Sequence, residues 1–531
     1  MTAITSIPNW NSSPARSPAL ATSRSEAPAV QRATPSTIVY LSPQSVSASL
    51  NGASALTWES TAQDGVSALI ATNVASRSLA GRFSGLGAAL LTQFRGDVSH
   101  VSQSVRLSPA ATPWSPYGIS AAPPALHGQG DDKISLSITT KSGIKVKLAL
   151  DNQDDGLAVQ MSSSGELSDA ERSALAGLAG AFQDAVDGMA EQPPSVRLAG
   201  LTQFDPSALA SVDLRAVIRL DTDPDSTQAL DFRADGAHRK VSLSGPSGTA
   251  SVSVDTSNLS GVGSPEQQAR ALANHLKQFD HAASRGRADG GLMTMFKDAF
   301  SGLNANVGAA QPRAGAALGG KWELAAGDHA ALTGLADFSA SVSQASTSIN
   351  PMRPSEQDSF TYDVSQSTSI GGRSQGERSI SQQQKSELNA SFHTPGTPGG
   401  QLKLDYTEQS QNYNFHQIKD AASSDVNLAY NEGRLVKATL NQSATQSARV
   451  MSYVMGNLVS DMVTPVQQAF QRDLLSALAP YLTGDPRRTE EERDSQRKQS
   501  MSSLSEQVLL KGDPDPMDGS WSVDKASAMH V

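Results

Sequence analysis

Ile134-Ser135-Leu136-Ser137-Ile138-Thr139-Thr140-Lys141-Ser142-Gly143-Ile144-Lys145-Val146-Lys147-Leu148-Ala149-Leu150 is the stretch on which the fold turns. Apolar and polar residues alternate on both sides of Lys141-Ser142-Gly143. Successive strand side chains point to opposite faces, so this period gives two strands with one apolar and one wet face. Gly143 supplies the backbone freedom a tight hairpin needs. Asp154-Asp155-Gly156 is a second turn, leading to a strand through Leu157, Val159 and Met161. The period then changes. Ser168 and Glu171 form a capping box, and Leu175, Leu178, Phe182, Val186 and Met189 follow at spacings of three and four. Each such side chain, once buried, contributes roughly 1.5–3 kcal/mol, so the helix is expected to cover the hairpin's apolar face.

A looser echo follows. Strands are expected at 212–220, 229–232, 241–243 and 252–254, then a helix capped by Ser264, with Pro265 first and Gln267 closing the cap. Leu272, Leu276 and Phe279 form its stripe. The fold class is therefore read as α+β: antiparallel β-meanders covered by amphipathic helices, with disordered polar termini.

Working outward, residues 1–45 are a Ser/Thr/Pro/Ala-rich leader with Arg16, Arg24 and Arg32 against Glu26 alone. Such a segment does not offset its ordering entropy and is expected to be disordered. It reads either as an uncleaved export signal or as an idle tail. Residues 46–107 are expected to be helical, because Leu79, Phe83, Leu86, Leu90, Phe94, Val98 and Val101 fall at steps of three and four. Residues 108–130 form a Pro-rich linker, and 131–305 the α+β domain with its two strand-strand-strand-helix runs. A Gly/Ala linker occupies 306–320. Residues 321–445 read as long antiparallel strands with a wet Ser/Thr/Gln/Asn face, one of them through Leu402, Leu404 and Tyr406. Arg373–Lys385 reads as a loop or helical excursion within them. Val450, Tyr453, Val454, Leu458 and Met462, and then Val466 to Tyr481 after Pro465, predict C-terminal helices over 446–484. Residues 485–531 are a polar tail expected to be largely disordered.

Composition narrows the functions available. The chain has 531 residues, 38% hydrophobic and 5% aromatic, with a net charge of −10. No basic block is present of the kind that displaces counterions from a phosphate backbone, so nucleic acid is not an expected partner. The sequence contains no cysteine, which excludes thiolate catalysis and Cys-ligated zinc. It has no secretory signal peptide and no run long and apolar enough for a transmembrane segment. The expectation is a soluble protein, exported by a signal-peptide-independent route or cytoplasmic.

The nine histidines include no pair at the spacing of a helical metal site. Asp151, Asp154 and Asp155 lack the remaining ligands of a calcium loop, and Asp221, Asp223 and Asp225 suit a turn. Nucleophile-elbow, phosphate-loop and dinucleotide fingerprints are absent. The expectation is thus no metal, no cofactor and no catalytic residue. Candidate interaction residues are Leu79, Phe83, Leu86, Leu90 and Phe94 on the 79–101 helix, and Tyr406, Tyr413 and Phe415 among amide-rich strands. The function expected is an interaction or structural protein of bacterial type with protein partners. The alternatives are a hydrolase with dispersed acids, candidates at 221–225, or a regulatory protein docking through the 79–101 helix.

Overall fold

The computed structural model describes residues 56–60, 64–96, 98–107, 126–220, 223–308, 324–475 and 489–514. The leader, most of both linkers, residues 476–488 and the last seventeen positions lie outside them. Strand β1 (Leu56–Trp58) is followed by helices α1 (Gly65–Asn73), α2 (Leu79–Phe83) and α3 (Leu86–Gln93), then β2 (His100–Leu107). The expected continuous helix is thus three short ones and a strand. Gly85 sits at φ 70°, a left-handed conformation that separates α2 from α3. A Cβ on Gly87 would lie 2.9 Å from the Phe182 ring, so the glycine that weakens the helical stripe also permits its closest packing.

The deciding stretch folds as expected. β3 (Asp132–Thr140), β4 (Lys145–Gln153) and β5 (Gly156–Ser163) pair antiparallel, with Ile134 opposite Leu150 and Leu136 opposite Leu148. Helices α4 (Asp169–Gly177) and α5 (Ala179–Ala190) follow, and both halves of the Ser168–Glu171 capping box form. Hydrogen bonds from Ser142 and from the Ser168 backbone hold the Glu171 carboxyl down at about 2. The second run comprises β6 (Leu209–Leu220), β7 (Asp223–Asp235), β8 (His238–Gly245), β9 (Gly248–Asp255), α6 (Pro265–Gly286) and α7 (Gly290–Asn304). Ser264 caps α6, but the Gln267 side chain does not close a box. Its amide donates instead to the carbonyls of His329 and Leu332.

After α8 (Ala326–Ala330) come the long strands β10 (Asp337–Gln344), β11 (Ser359–Gly372), β12 (Arg378–Pro395), β13 (Tyr413–Asn431), β14 (Arg434–Val454) and β15 (Asn457–Asp473), then α9 (Glu490–Gln507). Several expectations are corrected here. The C-terminal helices expected over 446–484 are strand as far as Asp473. Val454 and Leu458 flank a turn at Met455-Gly456, with φ 49° and 77°, which no helix accommodates. Pro465 lies on an edge strand, where a missing amide is tolerated. Most of the polar piece 373–385 belongs to β12, while 402–406 is not a strand. The polar tail is not formless throughout, since α9 leads into a segment that buries Leu504, Val508, Leu509 and Leu510.

Among the described residues all fifteen strands form one antiparallel sheet, in the order β1-β2-β5-β4-β3 and then β6 to β15 in sequence. The boundary expected at 306–320 does not divide it, because β9 pairs with β10 from Gly248–Gln344 to Asp255–Asp337. One face carries the helices. A row crossing it runs Ile138, Val212, Ala234, Arg239, Val254, Phe338, Gln366, Gln384, Ser424, Gln442. The row begins as hydrocarbon and ends as buried amide and hydroxyl. The opposite, open face carries small hydroxyl residues, such as the paired Ser242, Ser251 and Ser341.

Candidate interaction surface

At one end of β12–β15 the loops 345–358 and 396–412 meet the β14–β15 turn. Glu356 accepts from the hydroxyls of Tyr413 (2.7 Å) and Tyr453 (2.8 Å), whose rings stack 4.7 Å apart. His393, wholly enclosed, sets Nδ1 2.5 Å from Asp358 Oδ1 and Nε2 3.4 Å from Glu356 Oε2. Burial, and then the carboxylate of Glu356, push both phenols up from their ordinary value. Arg353 lies 4.4 Å from the centre of the Tyr453 ring and donates to the Gly456 carbonyl at 2.9 Å. The Gly456 amide donates to Gln411 O (3.0 Å), and Met455 N to Asn412 Oδ1 (3.0 Å).

A carboxylate–imidazole–carboxylate array invites a catalytic reading. Its hydrogen bonds join the loop residues Glu356 and Asp358 to His393, Tyr413 and Tyr453 on the strands. No Ser or Thr hydroxyl is hydrogen-bonded to His393 among the described residues, and the two phenols donate to Glu356. The array fixes the loops that grip the β14–β15 turn. The open-face cleft of about 330 Å³ between β3, β6, β7 and β8 also holds acids, but they are paired. Arg233 Nη1 lies 2.8 Å from Asp213, and Arg215 Nε 3.5 Å from Asp231. Among the described residues no group of three or more His, Asp or Glu is placed to hold a metal ion.

Beyond the gripped turn runs β15, with no strand on its outer side among the described residues. Arg449 Nη2 meets Asp461 Oδ2 at 2.7 Å and pins its register on β14. Met462, opposite Val450, and Val466, opposite Gln446, look to the helix-covered side; Leu458 and Val463 look to the open side. All four are exposed, as are Val454 and Val459, with Met462 63% and Val459 60% accessible. A strand seventeen residues long, with exposed apolar side chains on both faces and no backbone partner on its outer side among the described residues, is the arrangement natural sheets ordinarily blunt.

The residues singled out from sequence fall into two groups. Phe83, Leu86, Leu90 and Phe94 are buried in the chain's own core, with Leu79 packed against it, so these side chains are taken up within the chain itself. The reason is tertiary: α3 packs on α5, about a hundred residues on, and the stripe is spent there. Tyr413 and Phe415 are likewise buried, in a small cluster with Met451 and Tyr453 under Leu402 and Leu404. Tyr406 alone is open, 81% accessible, on the loop whose Asp405 carbonyl accepts from Gln411. The side chains at 221–225 lie outside the described residues. Sequence reading missed β15 because its apolar residues also fit helical spacing; the clue available was the turn signal Met455-Gly456-Asn457. No protein-family model matches the sequence, and comparison with curated proteins and with solved structures likewise gives no match.

Proposed function

We propose that this chain is a non-catalytic interaction protein that receives an extended strand of a protein partner along β15. The observation that carries the reading is the edge itself: seventeen residues of pinned strand with exposed apolar side chains on both faces. Strand addition draws affinity from backbone hydrogen bonds and specificity from alternate side chains, and β15 offers both. Tyr406 and the gripped turn lie at the end where such a strand would begin or finish. Two further features support a binding rather than a catalytic role: the enclosed His393 and the paired acids of the open-face cleft.

The test is site-specific photo-crosslinking in the producing cells, with a benzophenone amino acid at Val459 and, as control, at Ser253 on the open face. A discrete protein adduct at Val459 and none at Ser253 is expected, and its mass separates a second copy from a different partner. No adduct at Val459, or the same adducts at both positions, overturns the reading.

A further inference from the structure

The last described segment is held in an unusual way. From Gln507 to Gly512 its main chain lies on the helix-covered face, against β12, β13, β14 and α6, and side-chain amides take most of its hydrogen bonds. Gln384 donates through Nε2 to Val508 O (2.7 Å) and accepts at Oε1 from Leu510 N (3.1 Å), as a neighbouring strand would. Gln442 Nε2 donates to the carbonyls of Gln507 and Leu509, each at 2.9 Å. Ser424 Oγ donates to Val508 O (2.8 Å). Asn274 Nδ2 reaches Leu510 O at 3.0 Å, and Gln278 accepts from Gly512 N at 3.0 Å while Gln446 donates to Gly512 O at 3.2 Å.

Every one of these contacts reads main chain. Side-chain selection comes from burial of Val508, Leu509 and Leu510, while Gly512 lies close under the Gln278 amide that accepts from its N–H. The cleft also holds a spare acceptor. Gln442 Oε1 is buried and accepts from no donor among the described residues. Amides, unlike hydrocarbon, are costly to bury without partners, so five of them converging on one cleft specify a peptide backbone.

We propose that this cleft is a binding site for a peptide that leaves a helix and continues as irregular chain, that residues 504–512, the last turn of α9 and the chain after it, are its occupant in cis, and that the partner it takes in trans is the same segment of a second copy. The segment's seat in the cleft supports that choice of occupant: the three apolar positions are already matched. A segment from a second copy makes the same contacts, so only effective concentration favours the cis arrangement. Weakening the cis segment therefore opens the site. The segment touches β15 at its Phe470–Asp473 end, where Arg472 Nη1 donates to Gln507 Oε1 (2.7 Å) and the Lys511 ammonium lies 5.8 Å from the centre of the Phe470 ring, so peptide binding here and crosslinking at Val459 are read separately.

The probe is a fluorescein-labelled synthetic peptide of residues 503–514, measured by fluorescence anisotropy. The full-length protein is compared with Leu510→Asp, and with Leu510→Asp carrying Gln384→Leu and Gln442→Leu; far-UV circular dichroism follows the sheet. Leu510→Asp is expected to keep its sheet and bind the peptide at least tenfold more tightly than the unaltered chain. Adding the two glutamine changes should reverse that gain. Hydrogen exchange on the unaltered protein supplies the second measurement, with amides of 504–512 expected to exchange at least a hundredfold faster than those of β13. A folded Leu510→Asp that binds no peptide overturns the proposal. So does loss of the whole sheet on that substitution, or exchange of 504–512 no faster than β13, because the segment would then be part of the global fold.

Discussion

Between Ile138 and Phe338 the covered face of the sheet is mainly hydrocarbon; between Gln366 and Gln442 the same cross-strand row buries amides and a hydroxyl. What lies on top explains the difference. α5, α6 and α7 have satisfied their own backbones, and their sides ask only for apolar surface. The strands β11–β14 run to 21 residues and outreach those helices. Irregular chain covers them instead: residues 331–336 and 507–512. Such segments bring unpaired carbonyls and amides into the interior, and those must be met. Gln366 donates to Leu335 O and Ala336 O, Gln382 accepts from Thr333 N, and Gln384 and Gln442 hold the C-terminal segment. Glutamine on an inner strand face is thus a reader of main chain, whereas serine on the open face is only its wet side.

The hydrocarbon half should lose most from a single truncation. Phe279 is wholly buried, against Phe296 at 4.9 Å and Phe300 at 5.0 Å. Phe279→Ala is expected to cost about 3–5 kcal/mol through lost transfer energy and the cavity left behind, read by urea unfolding. A cost under about 1 kcal/mol would mean that this half is not packed as described.

The amide half should lose less, and for a different reason. Gln384→Leu keeps the volume but strands Leu510 N and leaves Val508 O with Ser424 Oγ alone. About 1–3 kcal/mol is expected, with the loss appearing as faster exchange at 504–512 before β12 itself is affected. If Gln384→Leu proves neutral, the inner amides are ornamental and the contrast between the halves collapses.

The smallest effect concerns the exception within the hydrocarbon half. His275 is fully buried among Phe279, Phe300 and Phe338, with neither ring nitrogen hydrogen-bonded among the described residues. Burial pushes its pKa down to about 4. The folded chain keeps it neutral while the unfolded chain protonates it below its ordinary value near 6.5, so stability falls as pH drops from 6.5 towards 4. His275→Leu should remove that slope, gaining about 1.4 kcal/mol more over the unaltered protein at pH 5.5 than at pH 8. Parallel thermal or urea melts at the two pH values decide it; an unchanged difference means the ring finds water or a proton acceptor.

Much of the fold was legible in the sequence, and what was not shares a physical cause. Ile134–Leu150, the Asp154-Asp155-Gly156 turn and the Ser168–Glu171 cap are local signals, and local geometry decides them. The stripe from Val450 to Met462 was ambiguous because residues at steps of three and four also alternate in part, and only pairing with β13 settles the choice. Burial of Phe83 and Phe94 depends on α5, nearly a hundred residues away. Inner-facing glutamines look like a wet strand until the chain that covers them is in place. For the same reason Tyr413, a candidate interaction residue by sequence, is enclosed with its hydroxyl on Glu356, a loop residue 57 positions away.

The order of the strands has a consequence for how the chain is made. From β6 onward each strand lies beside its predecessor in sequence, so nearly every pairing closes over a short stretch of chain. Low contact order of this kind favours rapid, stepwise growth, and a chain emerging from the ribosome can lay each new strand on an edge already finished. The growing edge is unprotected at each step, and β15 is the last strand laid on it among the described residues. The step that cannot be taken in order is the last: Val508 reaches back 124 positions to Gln384. Until synthesis passes that point, Gln384 and Gln442 have no main chain to read, and this part of the sheet matures only after residues 507–512 have emerged.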